Sequence, residues 1–184
     1  MTNIKPIAVK DAEPKAQQLL TGIEKNLGSI PNIFATFAHS AAVLEAYLNF
    51  SGALAKGQLD PKIREQLALT VAGANNCDYC ASAHTAIGAK TGVEKEELAS
   101  SLSGHSKDAK TQAVLTFSKL VIAKNGAVQG SDVEALRAAG LTEAEIVEVV
   151  AAIGLNIFTN YFNHIAATEI DFPLVRAAQP ALTK

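Results

Sequence analysis

Cys77 and Cys80 stand three residues apart in the stretch NCDYCASAH, residues 76–84, and His84 follows the second cysteine by four. They are the only cysteines in the chain. Three residues is helix-neighbour spacing, so both sulfurs fall on one face of a helix. If Asn76 caps that helix, Cys77 is its first residue and Cys80 ends its first turn. The spare N–H groups and the positive end of the dipole there favour a thiolate. His84 lies about 40° of rotation and about 6 Å of rise beyond Cys80. Helical side chains lean toward the N-terminus, so its imidazole can lie over Cys80. It can take the thiol proton or stabilise the thiolate as imidazolium. The dipole argument points to Cys77 as the attacking thiol and the histidine argument to Cys80; spacing alone allows either.

Two other uses of a Cys-x-x-Cys pair fit less well. A structural zinc site wants a second ligand pair, and His39, His105 and His164 form no such pair. A structural disulfide within one helical turn closes almost no loop and stabilises little. A redox pair cycling through thiolate, sulfenic acid and disulfide needs no haem, flavin or metal, so no cofactor is expected.

The elements that must hold these residues are helical throughout. No stretch shows sustained period-two alternation. A first amphipathic segment covers about 12–27, and Gly28 and Pro31 interrupt it. Ser40 can cap a second helix that Gly57 ends. Asp60 and Pro61 open a third at residue 61, with Ile63, Leu67, Val71 and Ala74 on one face. The cysteine helix follows and stops before Gly92. A short acidic helix near 94–102 and one capped by Ser106 and closed at Gly126 come next. Ser131 with Glu134, and Thr142 with Glu145, have capping-box spacing. The last helix covers about 143–166. One apolar stripe runs through Ile146, Val150, Ile153, Ile157 and Tyr161, and a second through Val147, Ala151, Gly154 and Phe158. So wide an apolar arc belongs at the centre of a bundle or against another subunit.

The 184 residues read as one all-α domain, a compact multi-helix bundle over 1–184 without a β-sheet. A net charge of −2 and the absence of like-charge blocks offer no grip on nucleic acid. The N-terminus lacks a signal-peptide core, and the longest uncharged apolar run, VVAAIGLNIF, is about half of what a membrane span needs. The expectation is a cytoplasmic protein with no membrane partner.

Counting back from Cys77, eleven residues separate it from Glu65, and the segment 65–84 fits E-x11-C-x2-C-x3-H. This pattern resembles the signature of the AhpD-like alkyl hydroperoxidases, within the carboxymuconolactone decarboxylase-like superfamily. Residues 27–54 resemble the N-terminal segment of the peroxidase-related branch, and residues 141–173 its closing helix. The resemblance implies an all-α fold that assembles into homo-oligomers, trimers or hexamers. It implies that Cys80 attacks the peroxide O–O bond, that Cys77 condenses with the resulting sulfenic acid, and that His84 and Glu65 relay the proton. A hydroperoxide is then the substrate, in antioxidant defence. An external dithiol is the reductant: a lipoyl or thioredoxin-like protein, or a small thiol. The competing readings are the decarboxylase chemistry found elsewhere in the superfamily, which does not need the cysteines, and a non-enzymatic thiol redox sensor.

Without the motif, Glu65 is a solvated carboxylate near a helix start. Tyr79 is an active-site wall or points outward. His164 faces the site or is a packing residue. Asn156, Asn160 and Asn163 bond across a subunit interface or cap locally.

Overall fold

The computed structural model describes residues 2–177; Pro180, the second proline of the tail, lies outside them. Among the described residues the chain forms nine α-helices and no strand. These are α1 (Pro14–Leu27), α2 (Asn32–Phe37), α3 (Ala41–Leu54), α4 (Pro61–Ala74), α5 (Asp78–Lys90), α6 (Lys95–Leu102), α7 (Ala109–Ala123), α8 (Gly130–Ala138) and α9 (Glu143–Ala166). The all-α expectation holds.

Local chemistry sets the starts. Asp60 accepts from the Lys62 N–H at 2.6 Å, and Pro61 fills the first position of α4, where an N–H is not missed. Thr142 and Glu145 cap α9 reciprocally, at 3.2 and 2.8 Å. The starts of α7 and α8 differ from expectation. Asp108 caps α7 through the Thr111 N–H at 2.8 Å, and Ser106 lies just before it, accepting from the Asp108 N–H. The box before α8 is Gln129 with Asp132, two residues ahead of Ser131 and Glu134. The segment read as a break, GSIPNIF, contains α2. Pro31 precedes the helix as its N-cap, a place where proline costs nothing.

Helix α4 is the hub, packed against α5, α6, α7 and α9. One core lies on its far side from the cysteines: Leu67 and Val71 of α4, Val114 and Leu115 of α7, Leu136 of α8, and Ile146, Val149 and Ile153 of α9. A second surrounds the cysteines: Leu20 of α1, Phe37 of α2, Leu44 of α3, and Cys77, Tyr79 and Cys80.

Helix α9 backs both cores, and its buried face differs from the stripes read from sequence. Val149, Ala152, Asn156, Thr159, Asn160 and Asn163 point inward. Val147 and Tyr161 are 67% and 54% exposed, and Val150 and Phe158 also face out. A wide apolar arc does not say which part meets the bundle. The neighbours decide, and the cysteine core draws the polar side inward. This helix is long and apolar enough to cross a membrane by length and composition, and its first half owes that composition to the aliphatic core it closes.

Candidate active site

The turn from α4 to α5 sets the cysteines. Asn76 sits in the left-handed region, φ 54°, which asparagine enters more readily than most residues. The chain reverses there, and the Cys77 N–H closes on the Ala72 carbonyl at 2.9 Å. Cys77 is therefore the N-cap of α5, and Asn76 lies outside the helix, one residue earlier than expected. Cys80 becomes the third helical residue, in the first turn where amide N–H groups lack helical partners.

Both thiols are free and buried, at 2% and 3% exposure. The Cys77 thiol donates to the Cys80 sulfur. That bond holds the Cys80 pKa below the ordinary thiol value against the opposing effect of burial, helped by the Asn163 amide. The same bond, followed by burial, drives the Cys77 pKa up. The two sulfurs are thus unequal: Cys80 is the one disposed to be thiolate. Asn163 Nδ2 donates to Cys80 Sγ at 3.3 Å, and Thr159 Oγ1 lies 3.9 Å from it.

Glu65 lies beside His84, though 19 residues separate them, because α4 packs along α5. Gly88 makes room for Leu98 of α6 beside this pair: a Cβ there would meet the Leu98 side chain at 2.5 Å and Glu65 Cβ at an ordinary contact of 3.5 Å. Glu65 Oε2 is 2.8 Å from His84 Nδ1, with both side chains largely buried. A carboxylate accepts, so Nδ1 carries the proton of this bond and Nε2 is left for exchange. His84 and Cys80 share no direct hydrogen bond. They line one cavity of 530 Å3, with Glu65, Tyr47, Phe34 and Ile87. Burial pushes the Tyr47 phenol up to about 12, so it faces that space as a protonated donor.

Tyr79 is a wall. Its hydroxyl accepts from the Ile33 N–H at 3.2 Å, its ring meets Phe172 edge-on at 5.7 Å, and burial raises its pKa. A second cavity, of 190 Å3, lies on its other side, lined by Cys77, Asp78, Asn163, His164 and Thr168. His164 is an exposed residue whose Nε2 is 2.8 Å from the Asn75 carbonyl oxygen. Among the described residues no group of three or more His, Cys, Asp and Glu side chains is placed to hold a metal.

Sequence reasoning missed the polar row of α9. Asn160 accepts from Asn75 Nδ2 at 3.0 Å, and Asn163 reaches Cys80, so these residues face the cysteines within one chain. Asn156, Asn160 and Asn163 recur at helical spacing, which is the signal that could have found them. Tyr47 carries no such signal, since only α3 packing on α1 and α9 directs it to the cavity.

Against known proteins, the model of the carboxymuconolactone decarboxylase family matches residues 41–105. No curated relative matches the chain. Among solved structures, the chain is similar to a peroxidase-related protein from Silicibacter sp. TM1040, at 22% identity and TM-score 0.79, covering 90% of this chain and 91% of that one. A peroxidase-related protein with an alkylhydroperoxidase AhpD core from Ralstonia eutropha JMP134 gives 23% identity and TM-score 0.80, over 91% and 93%. The debrominase Bmp8 gives 21% identity and TM-score 0.76, over 93% of both chains. The matched segment spans α3 to α6 and so contains Glu65, both cysteines and His84, while the structural likeness covers nearly the whole fold. The segment that carries Glu65, both cysteines and His84 thus matches the carboxymuconolactone decarboxylase family, and the chain shares its fold with peroxidase-related proteins that have an AhpD core.

Proposed function

We propose that the protein is a cysteine-based peroxidase that reduces hydroperoxides through a Cys77–Cys80 redox-active disulfide, in antioxidant defence. The observation that carries this reading is the inequality of the two sulfurs: a buried Cys80 with a lowered pKa, donated to by Cys77, at the wall of a cavity shared with the Glu65–His84 pair. The Cys80 thiolate attacks one peroxide oxygen and the O–O bond breaks. The proton taken from Cys80 through His84 goes to the departing alkoxide, and Glu65 stabilises the imidazolium in between. The Cys77 sulfur then attacks the Cys80 sulfenic acid. Its proton leaves with the hydroxide as water, and the S–S bond forms. An external dithiol restores the pair: a lipoyl or thioredoxin-like protein, or a small thiol. The cytoplasm, where thiols are kept reduced, suits this cycle. The exposed outer face of α9, with Val147, Tyr161 and Ile165, favours association into homo-oligomers.

A second reading draws on the fold shared with Bmp8, of which a cysteine-to-alanine variant has been solved with 2,3,4-tribromopyrrole (20% identity, TM-score 0.77, covering 93% of this chain and 92% of that one). The 530 Å3 cavity carries Phe34, Tyr47, Tyr79 and Phe172, a lining suited to a flat aromatic ring. The same two thiols could then take a halogen from such a ring.

Reduced protein is mixed with hydrogen peroxide, an organic hydroperoxide or a brominated pyrrole, with excess dithiothreitol present. Catalytic peroxide loss, abolished by Cys80→Ser, is the expected result. Bromide release without peroxide turnover favours the second reading. Stoichiometric thiol oxidation alone indicates a sensor. Undiminished peroxide turnover in the Cys77→Ser/Cys80→Ser double variant sinks the thiol mechanism and revives decarboxylase-type chemistry.

A further inference from the structure

The two cysteines open onto different spaces. Cys80 lines the 530 Å3 cavity with His84 and Glu65, whereas Cys77 lines the 190 Å3 cavity with His164 and Asp78; Tyr79 borders both. Each cavity therefore holds one cysteine and one imidazole. The Asn75 carbonyl can only accept, so His164 Nε2 carries a hydrogen and, in the neutral ring, Nδ1 keeps its lone pair. The charged and titratable groups about it are Cys77 and Asp78 from the start of α5 and Arg176 from the C-terminal segment. Arg176 pairs with Asp78 at 2.6 Å and offsets a carboxylate that would otherwise repel an incoming thiolate. A space of this volume is smaller than an ordinary ligand pocket and suits a thin chain bearing thiols.

We propose that His164 is the acid–base residue of Cys77, and that the smaller cavity is where an extended dithiol meets the oxidised pair. The proposal rests on the redox-pair reading given above, though its test does not need a peroxide. The first thiol of the reductant gives its proton to His164 Nδ1 and attacks Cys77 Sγ. The Cys77–Cys80 bond breaks, its electron pair passes to Cys80, and a mixed disulfide forms at Cys77. The Cys80 thiolate is received by Asn163, which already donates to that sulfur. The second thiol of the reductant then attacks its own sulfur in the mixed disulfide. Cys77 leaves as thiolate and takes the proton held by His164, while the proton of the second thiol goes to Cys80. The reductant ends as a disulfide, and the protein gains two electrons and two protons.

The test separates the half-reactions. Disulfide is prepared with diamide, and its reduction by dithiothreitol is followed by quenched-flow thiol counting across the imidazole pH range. Oxidation of the reduced protein by tert-butyl hydroperoxide is followed in the same way. His164→Gln keeps a donor for the Asn75 carbonyl and removes the imidazole base. It is expected to slow disulfide reduction about tenfold or more and to flatten its pH profile. Its effect on oxidation is expected to be far smaller, and His84→Gln is expected to show the reverse order. An unchanged reduction rate and profile in His164→Gln overturns the assignment. So does equal slowing of both halves, which would mark a structural role. Diamide makes the disulfide without any peroxide, so the role of His164 is measured even if the protein is inert to hydroperoxides. The two ideas therefore fail separately.

Discussion

The two halves of α9 bury opposite kinds of surface. In the first half, Ile146, Val149, Ala152 and Ile153 close an aliphatic core with α4, α7 and α8. In the second half, Asn156, Thr159, Asn160 and Asn163 face inward instead, and the last two approach the cysteines. The first half has the character of a scaffold, stabilised by burial and close packing. The second gives up some of that stabilisation. Asn160 Nδ2 and Asn163 Oδ1 are buried without a hydrogen-bond partner, a condition that ordinarily opposes folding and marks a site with another use. One helix thus carries both a packing face and a polar face turned to the cysteines, divided near Asn156.

Substitutions on either side of that division should fail differently. The largest effect belongs to the chemical side: Cys80→Ser is expected to reduce hydroperoxide turnover to background with the thermal midpoint nearly unchanged. On the scaffold side, Ile153→Ala removes a fully buried side chain and should lower stability by about 2–5 kcal/mol, read by urea unfolding. The thiol reactivity of the protein that remains folded should not change. If that reactivity falls in step with stability, the two halves are not independent.

Asn163→Leu probes the boundary from the polar side. The Cys80 pKa is lowered, so its thiolate persists to a pH below that of an ordinary thiol and is lost only as pH falls through the shifted value. Removing one donor should move the iodoacetamide-reaction profile upward by about one pH unit, equivalent to about 1.4 kcal/mol, and slow the reaction at neutral pH. A profile that stays in place would show that Cys77 alone sets the thiolate. The smallest effect is expected at the helix start: Thr142→Ala removes one arm of the capping box and should cost about 1 kcal/mol by the same unfolding assay, without altering the alkylation profile.

The aliphatic half is far more legible in the sequence than the polar one. Thr142 and Glu145 announce the start of α9, and Ile146 and Ile153 announce a buried face, because capping and periodicity are local properties. Glu65 and His84 are legible as a spacing, but their contact is not. Nothing local says that α4 folds back along α5, and Gly88, whose missing side chain makes room, has no meaning until its neighbours are known. The asparagines of α9 read as interface or capping residues because periodicity fixes which residues share a face without fixing what that face meets. The α2 segment is hidden for the opposite reason. Pro31 reads as a breaker, while at a helix start the same ring is a fitting residue.

Cys77 and Cys80 occupy the N-cap and third positions of α5, the two places that Thr142 and Glu145 hold in α9 and Gln129 and Asp132 in α8. Those pairs fasten their first turn by reciprocal hydrogen bonds. Cys77 provides no such side-chain bond, so in the reduced protein the first turn of α5, like those of α1, α2 and α6, lacks a side-chain cap. Oxidation would fasten it with a covalent bond at the same two positions. The redox state of the pair is then also a switch on fraying at the start of α5. Amide exchange over Asp78–Ala81 should slow when the disulfide forms, reporting electron transfer as a change in local helix order.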